Sequence, residues 1–337
     1  MSLYVTELRR LAKRRLTRVM LVLLVLGLTG IVTAFTFSSH KLSPAVIAQA
    51  QAESDANFRD AVKDWERSIV ECDAAKARGE QTEDRYGPNC GRDWQPTADM
   101  FDPKWNLPYQ FDFRGEFGVF IAVFAGAVAL FAFLIGASFV GAEWSSGGMM
   151  NLLLWRPKRL TVLGTKLAAV LTMLTGVTMV LGALWTLAFW LIGSYRGTTA
   201  KVTSGVWQSA GISGLRALGL ILAVGAVAFA LASLGRHTAM ALGVAVGVGV
   251  VSEIGIRIAM AIAGVRFGDR WVLSTYALAW FQKQWTLIDY RSCEFAQGEC
   301  TPKEMLVTWQ DSALVFGIGT AVVLVAAFWM MRRRDVT

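Results

Sequence analysis

The chain has 337 residues, of which 54% are hydrophobic and only 17% charged. Soluble globular domains carry about 25% charged residues, so this balance excludes an ordinary soluble protein and predicts a polytopic membrane protein. The net charge of +8 is a topology signal rather than a nucleic-acid signal, because the basic residues collect at the ends of apolar segments.

In chain order, residues 3–16 place Tyr4, Leu8, Leu11, Ala12 and Leu16 at helical spacing, with Arg9, Arg10, Lys13 and Arg14 largely off that stripe. The pattern predicts an amphipathic interface helix within 1–18, lying on the cytoplasmic surface. A bilayer core about 30 Å thick takes about 20 apolar residues of helix. The first such run, 19–37, has no charge. It is longer than a signal-peptide core and no A-x-A site follows it, so it is expected to be a retained anchor.

Residues 38–116 are expected to form an extracytoplasmic cap. A helix is predicted over about 44–77, followed by an irregular stretch rich in Pro, Gly and Asp. The second span is 117–142 and the third 167–195, with the segment 143–166 between them. An outer connection at 196–211 leads to the fourth span, 212–235. The fifth span is 238–265. An outer loop at 266–308 carries Trp271, Tyr276, Trp280, Phe281, Trp285 and Tyr290, which predict a short helix at the outer interface. The sixth span is 309–331, followed by a tail at 332–337. The fold class is therefore an all-α membrane protein with six transmembrane helices.

Basic residues cluster at the N-terminus, at Arg156, Lys158, Arg159 and Lys166, at Arg236, and at Arg332, Arg333 and Arg334. Six spans put all of these on one face, and the positive-inside rule makes that face cytoplasmic. Both termini are then inside. The four cysteines fall in the two large outer loops. Disulfides Cys72–Cys90 and Cys293–Cys300 are expected there, on an oxidising side. A metal site is the rival, and two histidines in the whole chain make it the weaker reading.

Glu253 and Arg257 sit four residues apart in the fifth span and share a helix face. Arg216 and Asp311 open the fourth and sixth spans near the same level. These four residues are expected to form a salt-bridge cluster, or an outer gate, since ionisable residues within spans mark function by default. No P-loop, H-E-x-x-H, G-x-S-x-G or EF-hand loop occurs, and the chain offers no catalytic or metal constellation.

The segment 143–166 holds Glu143, a turn at Gly147-Gly148, the apolar run Met149 to Trp155, then Arg156, Pro157, Lys158, Arg159 and finally Lys166. A short helix after the glycines would present Met149, Leu152 and Leu153 on one side and stop before Pro157. The segment resembles the permease subunits of ABC-2 type transporters in Glu143, Gly147, Leu152 to Leu154, Pro157, Arg159 and Lys166. Gly148 stands where many members have Thr, and the first outer loop is long for the compact exporters.

The resemblance implies that Glu143, Gly147, Leu152, Leu153, Arg156, Pro157, Lys158 and Arg159 couple the spans to a separate ATPase subunit. Glu143 would pair with a basic residue such as Arg159. ATP and Mg would be bound by that partner, leaving no cofactor in this chain. Six spans are half a pathway, so a second permease copy or a homologous permease is expected, with membrane lipid around it and no nucleic acid. The implied protein is a non-enzymatic plasma-membrane exporter of amphipathic or lipid-like cargo. The alternatives are an intramembrane enzyme using Glu253 and the outer cysteines, and a non-transporting anchor or sensor.

Overall fold

The computed structural model describes residues 3–155, 158–289 and 302–333. In chain order its elements are α1 (Leu3–Lys13), α2 (Arg15–Ser38), α3 (Pro44–Ala77), α4 (Glu83–Tyr86), α5 (Phe113–Ser145), α6 (Gly148–Trp155), α7 (Arg159–Tyr195) and α8 (Ser204–Gly235). They continue with α9 (Thr238–Val250), α10 (Arg257–Ile262), α11 (Leu273–Gln282), β1 (Gln284–Asp289), β2 (Lys303–Thr308) and α12 (Trp309–Arg333). Among the described residues, six helical stretches are long and apolar enough to cross a membrane: α2, α5, α7, α8, α9 through α10, and α12. The protein is a multi-pass membrane protein. Two of its helices outrun the charge-free runs: α5 continues past Glu143 and α7 begins before Lys166, charged residues that pair with each other.

The chain divides into two units: 1–33 with 113–190 and 200–337, and 34–112 with 191–199. In the first unit α5 and α8 make the core. Their backbones approach so closely at Gly136 that a Cβ there would collide with the Gly225 carbonyl oxygen. Small residues at a crossing point are how helices gain packing where lipid supplies no hydrophobic drive. The α8-to-α9 turn is two residues long. Arg236 takes a left-handed φ of 54°, and His237 caps α9, its ring nitrogen accepting from the Ala239 amide at 3.1 Å.

A π-helical turn, Val251–Ile256, joins α9 to α10. The aromatic stretch forms α11 only as far as Gln282. Trp285 lies instead in an antiparallel pair, β1 with β2, in which it faces Val307 and Leu287 faces Met305. The segments QWTLID and KEMLVT favour this pairing by their alternation, with Leu287 and Val307 packing on Ala279 of α11. Arg156, Pro157, Tyr290, Cys293, Cys300 and the side chain of Leu153 lie outside the described residues.

The second unit is built on α3. Ser43 caps it by accepting from the Val46 amide at 3.3 Å, and Pro44 opens its first turn, where a missing N–H costs nothing. The Cys72 and Cys90 sulfurs are bonded to each other. Beside them Asp73 pairs with Arg92 at 2.6 Å, and the Trp65 indole donates to the Gly91 carbonyl at 3.0 Å. Ser39 ties the unit's ends: its hydroxyl accepts from the Phe111 amide and reaches the Arg196 carbonyl, each at 3.1 Å.

Candidate functional site: a buried ionic junction of α1, α5 and α7

Lys166 sits two turns into α7 with its side chain fully buried. Its ammonium lies 2.8 Å from a Glu7 carboxylate oxygen and forms an ion pair with Glu143 at 2.7 Å. Glu7, on α1, is 1% exposed, and Glu143 lies in the last turn of α5. Arg10 approaches both carboxylates, at 3.7 Å from Glu7 and 3.6 Å from Glu143. Two cations thus face two carboxylates. The Lys166 ammonium also lies 4.9 Å from the centre of the Phe139 ring, a contact that favours a desolvated cation.

Burial makes this junction consequential. Each ion costs several kcal/mol to desolvate, and the network repays that only while every partner is present. Phe139 and Leu11, both almost fully buried, limit water around it. Tyr4 adds a neutral tie, its hydroxyl donating to Thr172 of α7 at 2.8 Å. Arg14 closes the edge, donating to the Ser138 carbonyl at 3.3 Å with its guanidinium 5.5 Å from the Phe139 ring centre. Burial lowers the Arg14 guanidinium from its ordinary value; nearby Glu143 opposes that shift and Arg10 adds to it.

The junction leads directly into α6. Gly147 turns the chain at φ 74°, a conformation that favours glycine, and α6 begins at the next residue. Met149 faces inward and is buried, whereas Leu154 is 83% exposed and Lys158 is exposed. Leu152 is half-buried. Glu143 therefore belongs both to the buried network and to the step that positions α6.

Glu143, expected to pair with a basic residue, pairs with two, Lys166 and Arg10, because α1 and α7 bring their charges to the last turn of α5. The buried face of α1 is centred on Glu7 and Leu11, whereas Ala12 and Leu16 are exposed. Reading charge as surface missed Glu7. The available signal was its position: Tyr4, Glu7, Leu8 and Leu11 are three, four and seven residues apart, on one helix stripe.

The four charges expected at one level separate into two groups. Glu253 pairs with Arg257 at 3.6 Å, and Arg257 with Asp269 at 3.4 Å. Arg216 instead stacks 4.7 Å over the Trp309 ring, and Asp311 accepts from the Thr308 amide at 2.9 Å and its hydroxyl at 2.8 Å. Helix ends needing caps captured Asp311 and Glu253, since the Glu253 carboxylate also accepts from the Ser274 amide of α11 at 2.9 Å.

A cleft of about 570 Å³ lies between α5, α7 and α8, walled by Phe117, Phe124, Trp185, Trp190 and Trp207 and floored by small residues such as Gly211. The Thr178 hydroxyl on this cleft is buried without a hydrogen-bond partner among the described residues.

A family model described as an ABC-2 family transporter protein matches residues 1–336. No curated protein and no solved structure matches the chain.

Proposed function

The chain belongs to the ABC-2 family of transporter proteins and is a membrane permease of an ABC transporter; from that premise we propose that it is the permease of an exporter, driven by separate ATPase subunits docked at α6. Two copies, or this chain with a homologous permease, would enclose the route. The ATPases would lie on the cytoplasmic side of the plasma membrane together with both termini, and they would carry the ATP and Mg. The α5–α7–α8 cleft, apolar and aromatic with one free hydroxyl at Thr178, suits amphipathic or lipid-like cargo.

The observation that carries this reading is the shared use of Glu143. It lies in the last turn of α5, it is held by Lys166 and Arg10, and four residues later Gly147 turns into α6. A push on α6 would reach α1, α5 and α7 together through that carboxylate. Bistable packed elements of this kind convert small displacements into helix movements. Leu154 and Lys158 are the exposed groups that the ATPase would meet.

The test is a mild-detergent capture of the tagged chain with mass spectrometry and a vanadate-sensitive ATPase assay. The wild-type protein should carry a stoichiometric ATPase whose hydrolysis responds to cargo. Leu154→Asp should lose the ATPase, and Glu143→Gln should keep it bound but uncouple it. A wild-type complex without any ATPase would overturn the reading in favour of an anchor or sensor.

A further inference from the structure

A second feature lies against the ionic junction. A pocket of about 610 Å³ opens between α1 and the C-terminal end of α5. Arg9, Arg10, Lys13 and Arg14 line it, with Thr6 and Ser146. Its one carboxylate, Glu143, is paired with Lys166 and Arg10 and is outnumbered by the four cations. The pocket is therefore cationic, and its polar groups are the donors that an anionic phosphodiester takes.

Further toward the N-terminus of α5 is an apolar groove of about 340 Å³ between α2 and α5. Leu23, Gly27 and Leu28 form one wall, and Leu130, Phe131 and Leu134 the other. Nothing stands within 4 Å of where a Gly27 Cβ would be, so the glycine leaves the groove open. Leu134 precedes Phe139 of the pocket by five residues on α5, a rise of roughly 7.5 Å. Both features lie where basic residues end and the apolar face of α2 begins. A free anion would use only the pocket, and a neutral lipid only the groove.

We propose that pocket and groove together hold one anionic phospholipid, with its phosphate among Arg9, Arg10, Lys13 and Arg14 and an acyl chain between α2 and α5. The bound lipid would brace α1 against α5 beside the Glu7–Lys166–Glu143 network. This site depends on the protein being in a membrane, and on neither the transport direction nor ATPase coupling.

The test uses the full-length protein, stripped of lipid in detergent and then titrated with phosphatidylglycerol, phosphatidylcholine or inorganic phosphate, with bound lipid counted by native mass spectrometry. Each cation is worth roughly fivefold in binding to anionic lipid. Phosphatidylglycerol should bind with 1:1 stoichiometry and about tenfold or more in preference to phosphatidylcholine. Arg9→Gln with Lys13→Gln should weaken it by roughly twentyfold, and the exposed single change Lys13→Gln by about fivefold. Gly27→Phe, which fills the groove, should weaken the lipid without changing the response to phosphate. Thermal unfolding of each variant identifies any that misfold, and Lys13→Gln alone then carries the comparison.

Equal binding of the two lipids would overturn the proposal. Displacement of phosphatidylglycerol by millimolar phosphate, with Gly27→Phe silent, would overturn it in favour of a free anion. Retention of lipid by the double variant, with loss of a co-purifying acidic protein, would overturn it in favour of a protein partner.

Discussion

The Lys166 ammonium lies 2.8 Å from a Glu7 carboxylate oxygen across 159 residues of sequence, and solvent reaches neither side chain. This contact fixes α1 to α7, and Glu143 brings the end of α5 into the same pair of charges.

Removing one partner should cost more than the pair is worth. Lys166→Met leaves two carboxylates buried close together, and is expected to lower stability by about 3–5 kcal/mol. Adding Glu7→Gln and Glu143→Gln should restore part of that loss, because the uncompensated charges disappear with the cation. Thermal unfolding in detergent of the single and combined variants checks this. Strict additivity, with no recovery in the triple variant, would show that the three groups do not act as a unit.

Close packing of α5 on α8 gives a second test. Gly136→Leu must displace the α8 backbone, because even a Cβ collides with the Gly225 carbonyl, and a loss above about 3 kcal/mol is expected. Gly225→Ala meets mainly the end of the Leu174 side chain rather than backbone, with its Cδ1 2.6 Å away, and should cost less. Gly126→Ala, on the same helix as Gly136 with nothing within 4 Å of the new Cβ, should stay within about 1 kcal/mol of wild type. Unfolding midpoints should rank the three in that order.

These two cases separate what was legible in the sequence from what was not. The six apolar helices were legible because hydropathy, helix length and terminal charge are local properties. The helix over Pro44–Ala77 was legible from its flanking Ser43 and Pro44 and its lack of glycine. Glu7 was not, because its burial depends on Lys166, and a residue-by-residue reading gives a carboxylate to water. The Gly136–Gly225 approach was hidden for the same reason, since glycine is frequent in all these spans. The β1–β2 pair was obscured by aromatic residues that also suit an interfacial helix.

The second unit should depend on its disulfide. Cys72 and Cys90 are 18 residues apart, and closing a loop of that size is worth about 3 kcal/mol. Cys72→Ser with Cys90→Ser should speed proteolysis after α3, around 79–100, while the spanning helices remain protected. Asp73 and Arg92 pair beside the bond, so some local order should persist. Unchanged cleavage kinetics, in the variant or in reduced wild type, would deny the bond a structural role.

The π turn between α9 and α10 decides between a gate and a clamp. It presents Ser252 and Glu253 to the start of α11, where the Ser252 hydroxyl accepts from the Leu273 amide at 2.8 Å and the Glu253 carboxylate from the Ser274 amide at 2.9 Å. The first amides of a helix have no partner within it, so these side chains supply from a neighbouring element what an N-cap residue usually supplies. Each contact is worth about 1 kcal/mol. Ser252→Ala should therefore speed amide exchange in α11 severalfold, and Glu253→Gln should do the same more weakly, because its amide oxygen still accepts. A clamp predicts that exchange changes while transport is retained. Abolished transport in Glu253→Gln, with α11 exchange unaltered, would instead assign the carboxylate to a gate. Arg257 sharpens the distinction. It pairs with both Glu253 and Asp269, so a clamp tolerates Glu253→Gln with Arg257 still held by Asp269, whereas a gate that opens by parting Glu253 from Arg257 does not.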